Sequence, residues 1–276
     1  MTYKIVSDSS SDVFSIEDIA FDYAPLVISA GDRIFVDDEN LDLDEMIDFL
    51  ATYKGKSHTS CPNTEDYLKA FGDADAVFCV TITRNLSGSY NAASTAAAQY
   101  MKENPGKKVH VVDSLTAGAE CALIVEKLRE LILEGLEFDA VKAKIDEYVK
   151  NTELIFALES LHNLAANGRV NPLVAKISGV LGIRVVGRAS DDGVLEVKTK
   201  SRGMQRAVAD IVTVMKETGY KGGKIRIHSC KAEEMVSLLV KKIEQTFGTS
   251  DIYIGQVRGL CAFYAERGGI MMGYET

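Results

Sequence analysis

"TITRNLSGSYNAASTAAAQYM", Thr81–Met101, follows directly on the apolar run "DAVFCV". A continuous apolar run of this length reads as a strand covered on both faces. It ends in a turn crowded with Thr83, Asn85, Ser87, Gly88 and Ser89, and an alanine-rich helix follows. Two readings of that junction stand side by side. Ser87 is a helix N-cap, its oxygen accepting a bond from an early helix N–H for about 1 kcal/mol. Alternatively, the unpaired N–H groups and the helix dipole hold an anion. Gly88 then lets a ligand approach the backbone, and Ala92, Ala93, Ala96 and Ala97 leave room beside the helix.

Working outward, strand and helix alternate through the first half. "YKIVSD" is a strand ending in the polar turn Ser7 to Asp12, and "DYAPLVISAGDRIFVDD" gives two short strands about Gly31 and Asp32. "DLDEMIDFLATY" has helical spacing, Asn63 with Asp66 opens another helix, and "KKVHVVDS" is a strand. Helical runs cover Thr116 to Glu134 and Phe138 to Lys150. This alternation predicts an α/β layer with a mostly parallel sheet, and ligands in such sheets sit beyond the carboxyl ends of the strands. Three polar turns mark that edge: Ser7 to Asp12, Thr83 to Ser89 and Asp113 to Thr116.

The second half reads differently. The strand "TELIFALES" leads to a short helix ending at "ANGRV", and Asn171 and Pro172 suit N-cap and N1 of another helix. A hairpin turns at Asp191 to Gly193, helices run from about Arg202 to Thr218 and from Ala232 to Phe247, and three strands ("KIRIHSC", "DIYIGQV", "GGIMMGYE") complete an α+β pattern. The expected division is residues 1–151 and 152–276, with a cleft between the two domains.

Composition narrows the function classes. With 276 residues and 46% hydrophobic content the chain suits two cored domains. A net charge of −9 argues against a general nucleic-acid binder. No apolar run reaches membrane-spanning length, and the N-terminus shows no signal-peptide pattern. Five cysteines, far apart and odd in number, read as free thiols of a cytoplasmic protein. No cofactor or metal is expected, since Cys and His never cluster at ligand spacing and no nucleotide-binding glycine motif is present. The four histidines are isolated and read as satisfied side chains. No G-x-S-x-G elbow supports a triad, and no motif sets a base beside Ser87 or Cys261, which leaves a small acyl-ester enzyme as a third reading. Thr59 and Ser60 of "HTSCP" form a second hydroxyl pair in a loop, and Arg169 of "NGRV" follows a helix-ending Asn-Gly.

Taken together and in this order, "KIVSDSSSDV", "TSCPNTEDY", "TITRNLSGSYNAA", "VVDSLTAGAE", "LESLHNLAANGRV" and "IRIHSCKAEEM" resemble the DegV family of bacterial lipid-binding proteins. The resemblance implies a two-domain fold, a parallel N-terminal α/β domain plus a C-terminal α+β domain, with a lipid tunnel between them. It implies a non-catalytic carrier that binds a long-chain fatty acid and presents the carboxylate to a separate fatty acid kinase. Carried over by motif, Thr59 and Ser87 bond the carboxylate, Ser60 and the Gly88 backbone lie beside it, and Arg169 sits at the kinase-docking surface. One departure stands out. Where the family has a His-x-Gly-Pro-Gly element, this chain has "CAFYA", so Cys261 replaces the His, and Phe263 and Tyr264 add bulk. The alternative this raises is a lipid or apolar-acid binder uncoupled from any kinase.

Overall fold

A computed structural model describes residues 1–171, 173, 182–248 and 251–276. Three sheets organise them. The first is a four-stranded parallel sheet in the order β2-β1-β6-β7, from β1 (Tyr3–Asp8), β2 (Ala20–Ala24), β6 (Ala76–Thr81) and β7 (Lys108–Asp113). Every residue of β6 is buried, as its unbroken apolar run requires. The second is a small antiparallel sheet of β3 (Val27–Ala30) between β4 (Arg33–Val36) and β5 (Ser57–Ser60). The third has six strands in the order β10-β9-β8-β13-β11-β12, from β8 (Thr152–Leu158), β9 (Ile183–Ala189), β10 (Leu195–Arg202), β11 (Ile225–Cys230), β12 (Ile252–Gln256) and β13 (Gly269–Glu275). Only its β11–β12 pair is parallel.

Helices α1 (Leu43–Thr52), α2 (Thr64–Phe71), α3 (Ser89–Glu103), α4 (Ala119–Leu133) and α5 (Phe138–Tyr148) precede β8. Helices α6 (His162–Ala166), α7 (Met204–Glu217), α8 (Glu233–Phe247) and α9 (Gly259–Ala265) follow it. α2 and α3 cover one face of the parallel sheet through an aromatic core with Tyr67, Phe71 and Tyr100. α4 and α5 cover the other, over Ile5, Phe78 and Val80. α7 and α8 pack on one face of the six-stranded sheet. Its other face meets the small sheet, α1 and α9.

Four details depart from the sequence expectation. Residues 57–60, expected as loop, form β5, because Thr59 pairs with Ile28 of β3. β2 adds a strand ahead of the expected two. The run expected to be helical from Thr116 starts at Ala119, since Leu115 and Gly118 both have positive φ. The short helix α9 was not anticipated. Asn171 Oδ1 accepts the Leu173 N–H at 2.9 Å, as an N-cap would, but the body of that expected helix lies outside the described residues.

Candidate functional site

The carboxyl edge of the parallel sheet is where the three polar turns meet. Backbone bonds tie them together: Thr83 N to Thr116 O at 2.9 Å, Ser114 N to Thr81 O at 3.3 Å, and Gly118 N to Ser10 O at 2.8 Å. The buried Asp8 carboxylate accepts the Ile82 N–H at 3.0 Å, together with the N–H and hydroxyl of Ser10. Burial raises its pKa, against the hydrogen bonds that favour the charge. The β6–α3 turn is therefore anchored from behind.

At the front of that turn, Gly88 is the cap residue of α3 and has no side chain to offer. The N-cap reading of Ser87 is thus corrected in position only, since the bond it expects is present. Ser87 lies one position upstream, and its Oγ accepts the first helical N–H, from Ser89, at 3.2 Å. The next N–H groups of the first turn receive no side-chain cap. Across from this turn, Asn63 and Asp66 form the capping box that starts α2, with Asn63 Oδ1 accepting Glu65 N at 2.8 Å and Asp66 Oδ2 accepting Asn63 N at 2.8 Å. That box fixes the "TSCPN" corner. A Cβ at Gly88 would lie 3.1 Å from Cys61 Sγ, so the two hydroxyl-bearing turns touch, and a side chain there would push the thiol by a few tenths of an ångström.

Arg169 comes to the same place from the second half of the chain. α6 ends with Gly168 at φ +73° and the Arg169 N–H donating to Leu164 O at 2.7 Å. The guanidinium Nε then donates to Leu86 O at 2.8 Å, next to Ser87, and a second guanidinium N–H donates to Asn167 O. The side chain is half-buried, not freely solvated.

Thr59, Ser60, Ser87, Gly88, Arg169 and Cys261 all line one cavity of about 290 Å³. Its opposite walls are apolar and drawn from both halves: Ile82 and Ala117 from the first, Leu154, Phe156 and Leu158 from β8, and Leu260 from α9. These six are buried, whereas Ser60, Cys61 and Gly88 are exposed. The polar groups are thus gathered at the open end of an apolar pocket.

Cys261 is 3% exposed, and its Sγ donates to Ser10 O at 3.4 Å. Burial, reinforced by the nearby Asp12 and Asp37, pushes the thiol well above its ordinary range, so it is no thiolate nucleophile. Among the described residues no histidine lines the cavity. His228 Nδ1 pairs with Asp12 at 2.8 Å and His110 Nε2 with Asp146 at 2.7 Å, each in its own buried or half-buried setting. Among the described residues no group of three His, Cys, Asp or Glu could hold a metal ion, and no helix is long and apolar enough to cross a membrane.

Tyr264, read in the sequence only as bulk, is a polar member of the site. Its hydroxyl lies 2.8 Å from Thr59 Oγ1 and its ring lines the cavity. Phe263 is buried in the core and does not line the cavity, which corrects the expectation that both residues crowd the ligand. The available signal was spacing: Tyr264 is three residues after Cys261, which places both on one face of a helix.

The fold and cavity define a two-domain α/β protein with an apolar pocket and a hydroxyl-lined mouth. The family model for "Uncharacterised protein, DegV family" matches residues 2–275, and the chain belongs to the DegV family. A DegV domain-containing protein of Streptococcus pneumoniae is 42% identical over 279 residues, covering 100% of this chain and 99% of that one. Among solved structures, a DegV family protein from Eubacterium eligens loaded with heptadecanoic acid has a TM-score of 0.97 at 41% identity, over 100% of both chains. The Streptococcus pneumoniae Fatty Acid Kinase (Fak) B3 protein loaded with linoleic acid also has a TM-score of 0.97, at 42% identity, over 100% of this chain and 99% of that one.

Proposed function

We propose that the chain binds one long-chain fatty acid in the cavity and presents its carboxylate to a separate fatty acid kinase. The observation that carries this reading is the polarity of the pocket. Its walls are apolar, and its hydroxyls, helix N-terminus and arginine sit together at the exposed mouth. The tail gains about 0.8 kcal/mol per buried CH₂. The carboxylate takes charge-assisted bonds from Thr59, Ser87 and the start of α3, with Ser60 and Arg169 beside it. A carboxylate held there stays reachable by a phosphorylating partner, and Arg169 at the rim is placed to touch that partner. The protein acts as a cytoplasmic carrier and not as an enzyme in this reading, which is supported by a cavity with no histidine or lysine among its described lining residues and by a Cys261 thiol that burial keeps protonated. We divide it into domains at residues 1–151 and 152–276, because no described strand pairs across that point.

Native mass spectrometry of the purified protein, followed by lipid extraction, tests this. The expected result is a co-purified long-chain fatty acid near one per chain. An empty protein, or a different lipid, overturns the reading. Added with its fatty acid to a fatty acid kinase and ATP, the protein is expected to support acyl phosphate formation. Binding without that product favours the uncoupled carrier, the reading to which the buried, non-basic Cys261 points.

The mouth supplies its own reporter. Cys61 is exposed and the other four cysteines are buried. In the native protein one thiol is expected to react quickly with an alkylating reagent. Saturation with fatty acid is expected to slow it about tenfold or more, because Cys61 lines the same cavity. An unchanged rate at saturation would place the ligand elsewhere.

A further inference from the structure

We propose that Tyr264 is a positioning residue of the head-group site: its hydroxyl donates to Thr59 Oγ1 and so commits the Thr59 proton to the ligand. The inference rests on the fatty-acid reading above and deepens it by naming what sets the preference for an anionic head group.

The geometry is specific. Tyr264 Oη and Thr59 Oγ1 are 2.8 Å apart across 205 positions of sequence, bridging α9 and β5. A hydroxyl carries one hydrogen and two acceptor sites. A phenol, ionising near pH 10, is the better donor of the two groups, and an aliphatic hydroxyl is the better acceptor. The bond therefore runs from Tyr264 to Thr59. Thr59 Oγ1 has no second hydrogen-bond partner among the described residues, so its own hydrogen is left for an acceptor in the cavity. Hydrogen bonds in series polarise one another, which strengthens the donor that faces the ligand. With the direction reversed, the Thr59 proton would be turned away from the pocket.

Tyr264 is held in place for this role. Asp37, fully buried, accepts the N–H groups of Gly259 at 2.7 Å and Leu260 at 2.8 Å and so caps α9. Asn163 Nδ2 donates to Phe263 O at 2.7 Å, and the Tyr264 ring sits edge-on to Phe263 with centroids 4.8 Å apart. Burial keeps the phenol protonated, against the pull of the nearby Arg169. Cys261, one turn earlier on the same face, is a weak donor already spent on Ser10 O.

The test compares linoleate with linoleyl alcohol, titrated into delipidated wild-type protein, Tyr264→Phe, Thr59→Ala and the double variant. Tyr264→Phe is expected to lower linoleate affinity about tenfold, the effect of one weakened bond to a charged group, and to leave linoleyl alcohol within about twofold. In the Thr59→Ala background it is expected to cost nothing further. Unchanged linoleate affinity overturns the proposal. Equal losses for acid and alcohol overturn it too, since they make Tyr264 a packing residue. Additive losses in the double variant remove the relay through Thr59. If wild-type protein binds neither ligand, the fatty-acid reading itself falls, an outcome distinct from a failure confined to the variants.

Discussion

Thr59→Ala combined with Ser87→Ala is expected to weaken long-chain fatty-acid binding about 10²- to 10³-fold, at roughly 1.5–3 kcal/mol for each hydrogen bond lost from a charged acceptor, less some mutual compensation. The two hydroxyls come from opposite sides of the mouth, Thr59 on β5 and Ser87 ahead of α3, and both line the cavity. Neither is the main support of its element, although Ser87 Oγ does accept one α3 N–H, from Ser89 at 3.2 Å. β5 pairs through its backbone, and the α3 cap is Gly88. The melting temperature is therefore expected to move by only a few degrees while affinity collapses. Isothermal titration with the single and double variants, set beside thermal melts, checks both halves of the expectation. Retained affinity in the double variant would remove the carboxylate site from this end of the pocket.

Glu120→Gln is expected to stabilise the protein by roughly 3–5 kcal/mol near pH 8 and to leave it unchanged near pH 4. Glu120, in the first turn of α4, is 3% exposed, and burial raises its pKa from 4.5 to about 8, with the hydrogen bond from Thr152 opposing. The native state thus keeps a proton that the unfolded chain releases above pH 4.5. Stability from this group is fully present below the unfolded pKa and is lost as pH rises through the folded one. The local bonding agrees with a protonated carboxyl. The Thr152 hydroxyl lies 2.7 Å from Oε1 and 3.2 Å from Val149 O, yet has one hydrogen to give, and a protonated Glu120 supplies the second. Glutamine has the same shape and a permanent donor. Asp37, raised to about 7, contributes a slope of the same sign that the variant retains. Denaturant unfolding from pH 4 to 8.5 should show the two stability curves diverging with pH. Parallel curves would mean that Glu120 is ionised in the fold.

Legibility in the sequence followed the range of the forces involved. The strand–turn–helix at Thr81–Met101, the Asn63–Asp66 cap and the Asn167–Gly168 helix end all depend on neighbours in the chain, and each was readable. β5 was not, because "SHTS" has no apolar alternation and becomes a strand only by pairing with β3. α9 was hidden for a related reason. "GLCAFYA" is apolar all round and its cap residue, Arg258, provides no side-chain bond. The cap comes from Asp37, 222 positions away. The site shows the same division. Motifs brought Thr59, Ser60, Ser87, Gly88 and Arg169 to one cavity mouth. Tyr264 escaped, since its role exists only once α9 lies against β5.

α4 joins the two halves more closely than their chain order suggests. Ten of its fifteen residues are buried, including Leu123, Ile124, Val125 and Leu128. One side meets β1 and β6, the other β8, β11 and β13. At Gly273 the strand backbone comes so near that an added Cβ would lie 2.4 Å from Glu120 Cα. Arg226 grips Glu126 with two bonds of 2.7 Å, and Lys224 pairs with Glu130. Neither half therefore has a finished surface of its own. Heat or denaturant that melts one strips an apolar face from the other, so the two domains are expected to lose structure together, and a fragment cut at residue 151 to expose a sticky apolar face.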